Sequence, residues 1–143
     1  MRILGIDLGE KRIGLAISDP LGFTAQGIET IQVKNKKETL RALAEVCRQY
    51  TVKEVVIGLP VNMNGTHGPK AEEVLKLVPE LEKALDIPVR TLDERLTSRQ
   101  ADRLMVQEGL SRQKQKMNSD RMAATLILQN YLESKRSQRR EES

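Results

Sequence analysis

Three acidic residues, Asp7, Glu94 and Asp120, have the side-chain chemistry of a divalent-metal site. Asp7 lies in an apolar segment that predicts a buried strand, so its ionised carboxylate needs a partner. Backbone amides of the following Gly9 turn would satisfy it as well as a metal ion would. Carboxylate oxygens are hard ligands suited to Mg²⁺ or Mn²⁺. Ions held by such a group would activate water for an in-line displacement.

Glu94 follows a predicted strand at its carboxyl end, where open α/β sheets collect their ligands. A solvated acid that pairs with Arg95 or Arg99 is the alternative interpretation. Asp93 competes with Glu94 for any role, because strand alternation points the two side chains in opposite directions. The sequence alone therefore leaves open which of these two acids joins Asp7.

Asp120 begins an apolar stripe at helical spacing, which continues through Ala124, Ile127, Leu128 and Tyr131. The stripe predicts that Asp120 faces the sheet, while Ser119 or Asn118 caps the helix. A first-turn acid favoured by the helix dipole is the alternative. The spacing of the three acids in the sequence does not by itself show that they meet in the folded chain.

The strands and helices that position these acids are predicted from the spacing at which hydrophobic residues recur along the chain. Strands are predicted within residues 2–8, 13–18, 24–33, 55–58 and 87–92, and helices at 38–50, 69–85, 97–107 and 122–132. The order βββαβαβαα predicts an α/β fold with a mixed five-stranded sheet flanked by helices.

Composition limits the class of protein. A chain of 143 residues with 38% hydrophobic residues suits one domain, predicted at 1–134, followed by a basic and disordered tail at 135–143. Only 2% of residues are aromatic, which argues against a base-stacking platform. Cys47 is the single cysteine and is predicted to lie in the core, so neither a disulfide nor a cysteine-based zinc site is expected. No apolar segment suits a signal peptide or membrane span, and we expect a cytoplasmic protein.

Basic residues near the acids are candidate nucleic-acid contacts. Lys11 and Arg12 follow Asp7 in the predicted turn, where they could reach a phosphate or simply be exposed. A second group precedes the last predicted helix, and its members are Arg112, Lys114, Lys116 and Arg121. This group predicts either a basic flap that orders on a phosphate-rich partner or an ordinary solvated loop.

Four motifs resemble one family throughout residues 1–132. They are DLGEKRIGLA at 7–16, GLP at 58–60 with NMNGT at 62–66, DERLTS at 93–98 and DRMAA at 120–124. In order and content they resemble the YqgF family of RuvC-like, pre-16S rRNA nucleases. The resemblance implies a ribonuclease H-like fold and an acidic triad of Asp7, Glu94 and Asp120. It also implies a nuclease dependent on Mg²⁺ or Mn²⁺ that trims the 5′ end of pre-16S rRNA during ribosome maturation.

The partners implied by this resemblance are structured precursor rRNA and the pre-ribosomal particle, with branched DNA as an alternative and a monomer or weak homodimer as the assembly. Junction resolvases similar to RuvC use four carboxylates, the last two close together on the final helix. Here Asp120 is followed by Ala123 and Ala124, which argues against junction cleavage. A non-catalytic RNA-binding assembly factor is a further alternative. An actin-like ATPase would need two such domains, for which the chain is too short.

Overall fold

The computed structural model describes residues 1–94 and 122–136. The first range contains β1 (Arg2–Leu8), β2 (Arg12–Ser18), β3 (Ala25–Gly27), β4 (Ile31–Gln32), α1 (Lys36–Gln49), β5 (Val52–Leu59), α2 (Pro69–Leu85) and β6 (Val89–Asp93). Residues 122–136 are helical and are called α3. The helix predicted at 97–107 lies outside the described residues. Within the described part of the chain, no helix is long and apolar enough to cross a membrane.

The strands form one mixed sheet in the order β3-β2-β1-β5-β6, and β4 pairs with β2 as well. β1 is antiparallel to β2 and parallel to β5, which is in turn parallel to β6. β3 pairs with the end of β2 and β4 with its beginning, so the two share one edge position. The predicted mixed sheet with five strand positions is therefore confirmed.

The third predicted strand is broken in the structure, into β3 and β4. Ile28 and Ile31 both pack against the same core cluster although they are three residues apart. In a regular strand such residues point to opposite faces. The chain must leave the extended ladder between them to bury both, so the one strand predicted within 24–33 is in fact two short strands.

The two faces of the sheet bury separate apolar clusters. Leu4 and Ile6 of β1 join the cluster under α1 and α2, whereas Ile3 joins the cluster under α3. This alternation places odd-numbered positions of β1 on the α3 face. The α1 and α2 face holds the buried Cys47, as predicted, and desolvation raises the pKa of its thiol to about 11.

The helices on that face begin near the predicted positions. The Asn35 side chain caps α1 by accepting a hydrogen bond from the Glu38 amide at 2.9 Å. α2 begins at Pro69, as predicted, because proline loses no hydrogen bond at a first helical position.

α3 lies unusually close to β1 because Gly5 has no side chain. An ideal Cβ on Gly5 would stand 2.8 Å from Leu128 Cβ and 3.0 Å from the Ala124 carbonyl oxygen. Ala124, Ile127 and Leu128 are fully buried, and Tyr131 is half-buried. The predicted inward stripe is therefore confirmed for the positions that the structure describes.

The far end of α3 is held by an ion pair with the sheet. Lys135 Nζ lies 2.5 Å from Glu54 Oε2, and Glu54 is a buried residue of β5. Tyr131 donates a hydrogen bond to the same carboxylate, and burial followed by the Glu54 charge raises the pKa of Tyr131 to about 12. Lys135 and Arg136 are helical, whereas residues 137–143 lie outside the described residues. The domain boundary at residue 134 stays a prediction.

Candidate active site

Asp7 lies near the carboxyl end of β1, the strand at the centre of the sheet. It pairs with Gly14 of β2 in the antiparallel ladder. As an odd-numbered position of β1 it is on the α3 face, together with Ile3 and Gly5. The turn that follows is closed by a hydrogen bond from the Gly9 amide to the Arg12 carbonyl at 3.0 Å. Asp7 is therefore held at the point where the central strand leaves the sheet.

Glu94 directly follows β6 and is held to the neighbouring strand. Its amide donates to the Leu59 carbonyl of β5 at 3.0 Å, which extends the parallel ladder by one residue. Leu92, two positions earlier, packs in the cluster under α3. Alternation therefore directs the Glu94 side chain to the face that Asp7 occupies.

Gly58 makes the meeting of the two acids possible. It lies on β5, between β1 and β6, and an ideal Cβ there would stand 2.5 Å from Glu94 Oε1 and 2.5 Å from Ile127 Cδ1. The Glu94 carboxyl thus occupies the space above a glycine, between the strand and α3. Sequence analysis used Gly58 only as part of the GLP motif, although a glycine within a strand, here directly after the β-branched run 55–57, is a recognised signal of close approach.

The Asp7 and Glu94 carboxyl groups contact each other. Burial, followed by the hydrogen bond to Asp7 and the Asp7 charge, raises the pKa of Glu94 to about 8. The pair therefore retains a proton at neutral pH when no cation is bound, since two adjacent carboxylates resist full ionisation. This proton is what a divalent cation would displace.

Asp93 does not take the place of Glu94. It is exposed, and its side chain points away from the α3 face, although its charge still raises the pKa of Glu94. The structure thus distinguishes the two acids that the sequence left as rivals.

Asp120 and four of the predicted basic residues lie outside the described residues, namely Arg112, Lys114, Lys116 and Arg121. Across residues 1–94 and 122–136, no group of three His, Cys, Asp or Glu side chains is arranged to hold a metal ion. The described part of the site is thus a pair of carboxylates, and its third acid stays a prediction.

The basic residues of the first group lie beside Asp7. Lys11 is exposed, and Arg12, the first residue of β2, is half-buried. The Lys11 carbonyl accepts a hydrogen bond from the Val33 amide at 2.8 Å, which attaches this turn to the chain that follows β4. Both residues are therefore at the same edge of the sheet as the acids.

Lys70 is a basic residue whose charge reaches the acid pair and which sequence analysis did not single out. It is exposed in the first turn of α2, and its positive charge acts on the Glu94 carboxyl. Lys70 is distant from Glu94 in sequence, and only the return of the chain to the same sheet edge brings the two together.

The acid pair suits a hard divalent cation. Both groups present oxygen atoms, both are partly withdrawn from water, and together they hold a proton that a cation would replace. Asp7 and Glu94 are therefore the residues that would hold such an ion.

Relatives of known family cover almost the whole chain. A protein of Clostridium acetobutylicum named "Putative pre-16S rRNA nuclease" is 52% identical over 134 residues, which are 94% of this chain and 99% of that protein. A protein of the same name from Syntrophomonas wolfei is 51% identical over 133 residues, 93% of this chain and 94% of that protein.

Solved structures show the same fold at low identity. RuvC of Thermus thermophilus superposes with a TM-score of 0.56 and 15% identity, over 96% of this chain and 97% of that one. The fowlpox virus Holliday junction resolvase superposes with a TM-score of 0.55 and 17% identity, over 94% and 99% of the two chains. The predicted ribonuclease H-like fold is confirmed.

The family model described as "RuvX: Holliday junction resolvase" matches residues 1–134. Together with relatives about half identical in sequence, this match confirms the predicted YqgF membership. The chain belongs to the RuvX (YqgF) family.

Proposed function

We propose that this chain is a metal-dependent nuclease that hydrolyses phosphodiester bonds at the 5′ end of pre-16S rRNA during ribosome maturation. The observation that carries the proposal is the contact between Asp7 and Glu94 above Gly58. Similar proteins that carry the name of a pre-16S rRNA nuclease support the choice of substrate.

Asp7, Glu94 and Asp120 would hold Mg²⁺ or Mn²⁺. Asp120 stands four positions before Ala124, and Ala124, Ile127 and Leu128 all face the sheet, which supports its inclusion. When bound, the metal would activate a water molecule and stabilise the leaving oxygen.

In the described part of the chain, the sheet fixes the positions of the two carboxyl groups that would hold the metal. Asp7 is fixed by the central strand, and Glu94 by its backbone bond to Leu59. Ile127 of α3 lies beside the Glu94 carboxyl over Gly58, because both side chains approach the same point above this glycine. Because both carboxyls are held by the sheet rather than by loops, little reorganisation is needed when a cation and a phosphate arrive.

The proposed partner is structured precursor rRNA within a pre-ribosomal particle in the cytoplasm, bound by a monomer or weak homodimer. Lys11 and Arg12, beside Asp7, would contact its phosphates, as would Arg112, Lys114, Lys116 and Arg121. The scarcity of aromatic residues agrees with recognition of backbone and shape rather than of stacked bases.

Cleavage of branched DNA is the second candidate. The family description and the superposition on junction resolvases favour it. The buried Ala124 disfavours it, because this position on α3 offers no further carboxylate close to Asp120.

A substrate panel tests the proposal. Wild type would be incubated with Mn²⁺ and a fragment spanning the 5′ end of pre-16S rRNA, with linear DNA and with a four-way junction. We expect the RNA fragment to be cut fastest, and Asp120→Asn to cut none of the three. Faster cleavage of the junction would favour the second candidate, and RNA binding without any metal-dependent product would support a non-catalytic assembly factor.

A further inference from the structure

A cavity of about 310 Å³ lies between the start of α1, the middle of α2 and the end of β1. Its apolar wall contains Leu8, Val33 and Leu77, which all pack against the core cluster under α1 and α2. Asp7 and Glu94 are on the α3 face, so the cavity is on the opposite face of the sheet. Its volume is within the range of cavities that bind small molecules. The cavity is therefore a candidate ligand site separate from the acid pair.

Two buried polar atoms of the cavity wall, Thr39 Oγ1 and Glu80 Oε2, have no hydrogen-bond partner in the part of the chain that the structure describes. Thr39 is only 6% exposed. A threonine in a helix often donates its hydroxyl to the carbonyl four residues earlier. Here the Asn35 carbonyl accepts the Thr39 amide at 3.0 Å, and the hydroxyl has no such bond. A ligand in the cavity would satisfy a hydroxyl that the fold leaves unpaired.

The Glu80 carboxylate has one paired oxygen and one unpaired oxygen. Oε1 accepts a hydrogen bond from Lys36 Nζ at 2.6 Å, whereas Oε2 is buried without a partner. A carboxylate oxygen only accepts, so a ligand must bring an N–H or O–H donor to it. The Thr39 hydroxyl can donate as well as accept. The two atoms together suit a ligand edge on which a donor stands beside an acceptor.

The charged side chains around the cavity balance one another. Lys36 and Lys76 are positive, and Glu73 and Glu80 are negative. A charged ligand would lose hydration without meeting a net opposite charge, which is unfavourable. The cavity therefore favours a neutral ligand.

We propose that this cavity binds a small neutral molecule with an apolar body and a polar edge on which an N–H donor stands beside an acceptor. Carboxamides and nucleobases share this edge. The ligand's N–H would donate to Glu80 Oε2, and the Thr39 hydroxyl would donate to its acceptor. The apolar body would contact Leu8, Val33 and Leu77. The inference stands independently of the proposed nuclease function, because it uses neither acid of the pair.

Four small probes of similar size test the required chemistry. The nitrogen-15-labelled chain would be titrated with benzamide, adenine, methyl benzoate and benzoate, while backbone amide shifts are followed by NMR. Benzamide and adenine are neutral and have the donor beside an acceptor, methyl benzoate lacks the donor, and benzoate is charged. We expect benzamide and adenine to bind with a Kd of about 0.1–1 mM, and the other two roughly tenfold more weakly. The tighter of the first two would distinguish a carboxamide from a nucleobase as the ligand class.

Three variants test the assigned residues. Thr39→Val and Glu80→Met each remove one polar atom of the cavity at nearly constant size. Thr91→Val is the matched control, because Thr91 is exposed on β6 and does not line the cavity. We expect the first two to weaken the tighter probe at least fivefold and the control to bind like wild type.

Thermal melting without a probe separates a binding role from a structural one. Thr39→Val should melt at or above the wild-type temperature, because it removes a buried hydroxyl that has no partner. A hydroxyl that served the fold would instead leave this variant less stable than wild type. Reduced probe affinity in a variant of undiminished stability is the result that supports the proposal.

The proposal would be overturned if no probe shifted the amides of the cavity wall, or if methyl benzoate and benzoate bound as tightly as benzamide and adenine. Wild-type affinity in both Thr39→Val and Glu80→Met would also overturn it. A lower melting temperature of Thr39→Val would do the same, because the hydroxyl would then be bonded within the folded chain. The absence of any nuclease activity would leave this inference standing.

Discussion

Gly58 and Gly5 are the two residues whose missing side chains shape the α3 face, and they do so in different ways. A Cβ on Gly58 would meet the ends of the Glu94 and Ile127 side chains at 2.5 Å, whereas one on Gly5 would meet Leu128 Cβ at 2.8 Å and the Ala124 backbone at 3.0 Å. Side-chain ends can move aside, but helix backbone cannot move without repacking. The first glycine therefore serves the site and the second serves the fold.

This difference predicts opposite effects of two alanine substitutions. Gly58→Ala should cost only about 1 kcal/mol of stability, because the Glu94 carboxyl is displaced, but it should lose most metal-dependent cleavage. Gly5→Ala should cost about 1–3 kcal/mol, because α3 is forced off the sheet. Denaturant unfolding and a cleavage assay on both variants check this. Full activity in Gly58→Ala would show that the Glu94 position is not critical.

The protonated carboxyl pair predicts a pH effect in the absence of metal. The pKa of Glu94 is raised from 4.5 to about 8, so between these values the folded chain keeps a proton that the unfolded chain loses. Stability therefore falls as pH rises through this window. Glu94→Gln has no such proton, so its melting temperature should exceed that of wild type by an amount that grows from about pH 4.5 to about pH 8.

The melting temperatures should be measured in EDTA, because a bound cation would favour the ionised form of the carboxyl pair. Exposed Glu29, between β3 and β4 at the edge of the sheet, provides the control, since Glu29→Gln removes one carboxyl group away from the acid pair. A Glu94→Gln effect that was constant across the pH range would rule out the shared proton.

At the scale of single residues, the sequence predicted Asp7 and Glu94 as candidates but not the reason they meet. The choice of Glu94 over Asp93 needed the family motif, because both acids follow the same strand. Gly58 was missed because its importance arises from the close approach of Glu94 and Ile127, which are distant from it in sequence, and hydrophobic periodicity does not show such contacts.

At the scale of elements, α3 is attached to the sheet at two places, the glycine contacts near Ala124 and the ion pair near its far end. Lys135 and Glu54 have side-chain exposures of 30% and 10%. The pair therefore holds the helix axis in register with the strands, and Ile127 over Glu94 depends on that register.

A double-mutant cycle with Lys135→Met and Glu54→Gln measures the strength of this attachment. We expect Lys135→Met to cost about 1–3 kcal/mol, because it leaves a buried carboxylate without an opposite charge, and the double variant to recover part of that loss. The control cycle uses Lys36 and Glu80, whose pair is 2.6 Å long but 63% and 41% exposed. Its coupling should stay below about 1 kcal/mol. Equal coupling in the two cycles would contradict a special role for burial.

The sequence predicted an element correctly where its hydrophobic residues followed one period. It failed at residues 24–33, where burial of two side chains is incompatible with one regular strand. α2 begins at Pro69 as expected, since proline and a helical apolar stripe agree. The strand expected within 24–33 is broken, because Ile28 and Ile31 share one core. Alternation of apolar and polar residues indicates a regular strand with one buried face. It does not show where such a strand is interrupted.

At the scale of the whole molecule, the order of elements was enough to predict a mixed sheet of five strand positions, because a hairpin followed by crossover units leaves few topologies. The convergence of the acids followed from that topology, since β1 and β6 flank β5 and both end at one edge. The close approach of α3 to the sheet did not follow from the topology, because it depends on Gly5 and Gly58 facing the same helix.

We propose that Asp7 and Glu94 hold the metal ion with which the chain would cleave nucleic acid. The most direct measurement is the single-turnover cleavage rate of a structured pre-16S rRNA fragment with Mn²⁺, for wild type and Asp7→Asn proteins of matched melting temperature. We predict metal-dependent cleavage by wild type and a rate indistinguishable from the protein-free control for Asp7→Asn. Cleavage by Asp7→Asn at the wild-type rate would contradict the claim.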